Sequence, residues 1–187
     1  MESKAYNGYT KAGEKTPSFD EYSIWVEDGG KELVLSRYQR PDKVETIKVL
    51  DEATQNMIRE NIRQNVVSTA EQYQDTIFYL YFPPYSICYW DSLRQTGAID
   101  YYIDAEKIAI EEMLTCPNIR LYSFANAFDI TTNLDNYVDN NHYVEEINSK
   151  ILKWMKEDEY RVTEDNYLAY LDSLRMFYLK YSYDEIW

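Results

Sequence analysis

The apolar positions of this chain follow two periods. Between Asp51 and Gln72, Met57, Ile58, Ile62, Val66 and Ala70 recur at helical spacing with Arg and Glu between them. That pattern predicts an amphipathic helix with those residues on its buried face. Ile77 to Phe82 is instead an unbroken apolar run, rich in β-formers and closed by Pro83-Pro84. It predicts a fully buried, central parallel strand. Gly97 to Cys116 returns to the helical period, with Ile103, Ile108, Ile110, Met113 and Leu114 as core candidates, and Pro117-Asn118 ends it. Ile119 to Phe124 reads as a second strand of the same kind. A helix follows from Glu145 to Lys156. Thr163 is placed to cap a last helix, Glu164 to Tyr181, with Tyr167, Leu168, Leu171, Leu174 and Tyr178 on one face.

The start of the chain is patterned differently. Gly8, Gly13, Thr16, Pro17 and Ser18 break any period, so residues 1–20 read as an irregular segment. Tyr22 to Val26 and Leu33 to Leu35 then read as short strands joined through Asp28-Gly29-Gly30, a β-hairpin. Helices alternating with buried strands imply right-handed parallel βαβ units, so residues 21–187 are expected to form one α/β domain. In such a domain the loops after both strands, 83–86 and 125–142, open on the same sheet edge. Tyr85 and Ser86 are then expected to face His142 across a crevice.

Composition narrows the partners. A net charge of −14 argues against nucleic acid and against anionic membrane surfaces. The longest strongly apolar run is far too short to span a bilayer, so no membrane segment is expected. There are 20 Tyr against 6 Phe. Tyrosine buries a ring while keeping a polar tip wet, which suits both core packing and polar, carbohydrate-accommodating grooves. Cys88 and Cys116 form neither a disulfide framework nor a C-x-x-C motif, and both read as buried thiols. A single histidine does not make a zinc site. Asp135, Asp139 and Asn141 alternate as in a calcium loop but lack its glycine and distal glutamate. No metal and no cofactor is therefore expected.

The only histidine, His142, stands three residues after Asp139 in Asn133-Leu134-Asp135-Asn136-Tyr137-Val138-Asp139-Asn140-Asn141-His142-Tyr143. That spacing can place a carboxylate against one ring nitrogen and leave the other free to take a proton from a nucleophile. The same stretch also suits a structural helix start, with Asn140 and Asn141 as capping residues ahead of Glu145 and Glu146. Ser86 follows a strand, but it comes after two prolines and is not expected to open a helix. It reads better as a polar groove or oxyanion residue than as a nucleophile.

Phe82-Pro83-Pro84-Tyr85-Ser86, followed by Asn133 to Tyr137 and then Asp139-x-x-His142-Tyr143, resembles the C-terminal part of bacterial SGNH (GDSL-like) hydrolases and their acyltransferase relatives. The resemblance covers roughly residues 20–185. It implies a partial flavodoxin-like parallel sheet with flanking helices, an acylated carbohydrate or small ester as substrate, and the extracytoplasmic face of a bacterial membrane as location. His142 would be general base, Asp139 its orienter, and Tyr85 and Ser86 part of the substrate or oxyanion region. The family's serine block has no counterpart here: Ser3, Ser18 and Ser23 lack its strand and glycine-rich turn. The chain is thus expected to be incomplete relative to the family and inactive alone, its open sheet edge met by a homo-oligomer or by a further N-terminal portion. The alternative expectation is a non-catalytic binding or interaction domain with a degenerate crevice of this kind.

Overall fold

The computed structural model describes residues 29–187. The irregular segment at 1–20 and the first hairpin strand at 22–26 lie outside them. The domain is mixed α/β, with helices packed on a small three-stranded sheet. α1 (Lys31–Arg37) is followed by α2 (Glu52–Ile62), which runs through a π-helical turn, Arg63–Val67, into α3 (Ser68–Gln72). Then come β1 (Phe78–Phe82), α4 (Ile87–Gln95), α5 (Ile99–Met113) and β2 (Ile119–Ser123). A short α6 (Phe128–Thr131) and a 3-10 turn (Leu134–Asn136) lead to α7 (Glu145–Lys156), β3 (Arg161–Val162), α8 (Tyr167–Lys180) and a final 3-10 turn (Tyr183–Ile186).

β1 and β2 are parallel neighbours, as expected, with Leu80 opposite Leu121. The sheet as a whole is not parallel, because β3 pairs with β2 antiparallel, Leu121 opposite Val162. The order β1-β2-β3 makes β2 the central strand and β1 an edge among the described residues. That corrects the expectation of a central, fully buried first strand. Its side chains alternate instead: Phe78, Leu80 and Phe82 pack on the main core, while Tyr79 and Tyr81 are 49% and 41% exposed. The main core lies between the sheet and helices α4, α5 and α8, and includes Ile87, Trp90, Ile103, Ile110, Leu121, Leu171 and Leu174. On the other face a smaller cluster sets Tyr122 and Phe124 against Ile147 and Ile151 of α7.

Other expectations change in detail. Leu33, Val34 and Leu35 belong to helix α1, not to a hairpin strand. Gly30, at φ 148°, donates its N–H to the Tyr137 carbonyl at 2.9 Å, and a helix starts from there. In the run Lys31–Arg37 only Val34 is fully buried; Leu35 packs partly on the core, and the Lys31 N–H donates to Asp135 Oδ1 at 3.0 Å. Met57 and Leu168, expected in the core, are exposed. α8 begins after Asn166, not Thr163: the Asn166 side chain accepts the Thr163 N–H at 2.9 Å and fixes the turn before the helix. The stretch after Pro84 is not loop. It opens α4, with Ser86 at the N-cap.

Candidate functional site

Asp139 and His142 sit on a tight return of the chain. Tyr137 and Tyr143 form an antiparallel bridge, and Val138 donates its N–H to the His142 carbonyl at 2.9 Å. Inside this return, Oδ1 of Asp139 accepts the backbone N–H groups of Asn141 at 2.8 Å and His142 at 2.7 Å. That is an Asx-type turn, in which a short carboxylate replaces a backbone acceptor. The other oxygen, Oδ2, meets Nδ1 of the His142 ring at 2.7 Å. One carboxylate thus shapes the loop and orients the ring.

The electrostatics follow from that bonding. Partial burial works to raise the Asp139 pKa, but the bonds from His142 and Asn141, with the attraction of the His142 ring, outweigh it and hold the carboxyl below its ordinary value. The His142 side chain is 75% exposed, and its Nε2 has no hydrogen-bond partner among the described residues. With Nδ1 held by Asp139, Nε2 is the nitrogen able to exchange a proton with a ligand.

Two ties bring this loop to the one after β1. The buried Tyr137 donates its hydroxyl to the Pro84 carbonyl at 2.7 Å. Ser86 donates its hydroxyl to the Asn140 carbonyl at 2.8 Å. Gly29 lets the chain pass close to Tyr137 and Val144, where a Cβ would collide. Between the joined loops lies a cleft of about 440 Å³, lined by Tyr81, Pro83, Tyr85, Asn141, His142, Tyr143 and Asn148. It opens at the carboxyl end of β1, where α/β sheets place their ligands.

The sequence-predicted residues therefore separate. Tyr85 and His142 line the same cleft, as expected. Ser86 does not: it is fully buried, and its hydroxyl is spent on the loop tie. The Tyr85 N–H is likewise donated to the Pro83 carbonyl at 3.0 Å. Tyr85 contributes its ring, packed 4.4 Å from Tyr89. Sequence reasoning missed Tyr81, Tyr143, Asn141 and Asn148. Tyr143 is adjacent to the histidine, and its hydroxyl lies 3.4 Å from that of Tyr81. The Asn141 Oδ1 is buried and has no hydrogen-bond partner among the described residues. Asn148 carries no sequence signal beyond its place in the first turn of α7. Among the described residues, no serine, threonine or cysteine lines the cleft.

Cys88 and Cys116 are both free and buried. Burial, with Asp91 nearby, pushes the Cys88 thiol up to about 12, which removes nucleophilic character. Among the described residues no three His, Cys, Asp or Glu side chains gather to hold a metal ion, and Asp135 Oδ1 is occupied by the Lys31 N–H at 3.0 Å. No described helix is long and apolar enough to cross a membrane. Neither a family model, nor a curated protein, nor a solved structure matches the chain.

Proposed function

We propose that this chain is an SGNH-type acyl ester hydrolase or O-acyltransferase domain, acting on acylated cell-envelope glycans and lacking its serine nucleophile block. The observation that carries the reading is the Asp139–His142 pair: one ring nitrogen 2.7 Å from a carboxylate, the other unbonded, beside a cleft at the end of a parallel strand. In this reaction a serine hydroxyl supplied from elsewhere gives its proton to His142 Nε2 as its oxygen attacks the ester carbonyl. The departing alcohol takes that proton, leaving an acyl-serine. Water or a second alcohol, deprotonated by the same nitrogen, then releases the acyl group. Asp139 keeps the ring in the tautomer that makes this exchange work.

The 187-residue chain is expected to hydrolyse short p-nitrophenyl esters no faster than free imidazole, and to take no fluorophosphonate label. The genomic reading frame upstream of Met1 supplies the decisive arm. An in-frame strand and serine block, joined to this chain, should yield a fluorophosphonate-reactive protein whose turnover is lost on His142→Ala. Turnover that survives His142→Ala defeats the reading.

One observation favours a second reading, a non-catalytic binding domain: three tyrosines and two asparagines around the cleft form an amphipathic wall without a nucleophile among the described residues. Glycan binding by the isolated chain, unaffected by His142→Ala and lost on Tyr85→Ala, would support it.

A further inference from the structure

Away from the cleft, α5 carries a carboxylate into the interior. Glu106 is 5% exposed. Its Oε1 accepts the Tyr170 hydroxyl of α8 at 2.5 Å, and the Ser123 hydroxyl at the end of β2 stands 3.5 Å away. Ser123 and Tyr170 are themselves 2.5 Å apart. The second oxygen, Oε2, is buried and has no partner among the described residues. The ionisable groups facing Glu106 among the described residues are phenols: Tyr102 of its own helix, Tyr89 of α4, and Tyr170 and Tyr178 of α8. β2 presents only the Ser123 hydroxyl.

A buried carboxylate with one bonded oxygen and no cation has given up its hydration without replacement. The neutral acid avoids most of that cost. Tyr170 also lines a second cleft, of about 690 Å³, with Asn126, Arg161 and Asn166 between β3 and the start of α8.

We propose that Glu106 is a proton-operated latch: as the neutral acid it lets α5, β2 and α8 close on one another, and its ionisation loosens that junction beside the Tyr170 cleft. Its chemistry sets the direction. Its pKa is raised from 4.5 to about 7, because burial raises it by more than the bonds from Tyr170 and Ser123 lower it. A raised folded-state value favours folding below the unfolded value, and that contribution is lost as pH rises through about 7.

The test is urea unfolding of the intact chain and of Glu106→Gln at about pH 5.5 and about pH 8.5. Between these conditions the wild-type unfolding constant should rise, relative to that of Glu106→Gln, by on the order of thirtyfold. Hydrogen exchange compared at the higher pH should show the amides around Ser123 and Tyr170 opening more in wild type than in Glu106→Gln. If that variant does not fold, carbon-13 NMR of the wild-type glutamates decides alone. A buried carboxyl titrating near neutrality and shifted by Tyr170→Phe upholds the latch. Parallel pH profiles for the two proteins, or a Glu106 that titrates in the ordinary glutamate range, overturn it.

Discussion

Asp91 on α4 is fully buried and meets Arg40 twice, through Nη2 at 3.0 Å and Nε at 2.8 Å, with Tyr38 at 3.1 Å and Gln95 at 2.9 Å. Glu106 on α5 is almost as buried and meets only two hydroxyls. The surroundings of Asp91 were built to hold a charge. Arg40 reaches in from an extended segment after α1, and the same guanidinium holds Asp184 near the C-terminus at 2.9 Å. Those of Glu106 supply hydrogen bonds and no cation. Burial alone therefore does not decide what a carboxylate does in this fold. The presence of a matching cation separates the two sites.

The comparison breaks most sharply at Arg40. Arg40→Met should strand the Asp91 carboxylate and cost about 3 kcal/mol, the low end for such a loss because the arginine is 29% exposed. Urea denaturation near neutral pH checks it, and a loss under about 1 kcal/mol would mean that Tyr38, Gln95 and water suffice to hold the charge. Tyr170→Phe comes next. Removing the donor to Glu106 should cost about 1–2 kcal/mol, and the Glu106 titration should move above about 7, since the Tyr170 bond lowers it. Asp139 sharpens the contrast from the surface side. Asp139→Ala removes a turn acceptor with two backbone donors and should cost about 1 kcal/mol near neutral pH. Because its folded pKa lies below its ordinary value of 3.8, wild-type stability from this group is present above that value and lost as pH falls through the folded one. Thermal melts of the two proteins should accordingly converge in acid. The smallest effects belong to Met57→Lys and Leu168→Lys, each expected within about 0.5 kcal/mol, because both side chains are exposed.

The parallel pair β1–β2 and the Asp139–His142 contact were readable because each rests on short-range information: apolar runs bounded by proline, Pro83 after the first and Pro117 before the second, and a three-residue spacing. The α2–α3 helix was readable in place and largely in phase: Ile58 is half-buried, Ile62 and Val66 pack on the core, Ala70 is buried in it, and Val67 joins them at the π-helical turn Arg63–Val67, whereas Met57 is exposed. α4 was hidden by Pro83-Pro84, which ends a strand and equally well precedes a helix whose N-cap is Ser86. Leu33 to Leu35 fits both periods, and tertiary contact through Gly30 selects the helix. β3, only Arg161–Val162, is too short to leave a pattern. Glu106 lay among the acids Asp104, Glu111 and Glu112 of one helix and looked like part of a solvated face. Only Ser123 and Tyr170, distant in sequence, mark it out.

Trp90 has no exposed surface and lies flat on Tyr178, ring centres 3.7 Å apart and planes 5° apart, with the edge of Tyr102 at 5.4 Å. Its indole N–H meets no acceptor among the described residues. The consequence is optical. A transition dipole locked against a second chromophore in one handed arrangement gives near-ultraviolet circular dichroism that vanishes when specific packing is lost. An indole in dry surroundings emits to the blue, and Trp90 shares the emission with Trp154, packed on Phe124, and with Trp187, 53% exposed. The core of this protein thus reports its own packing in light.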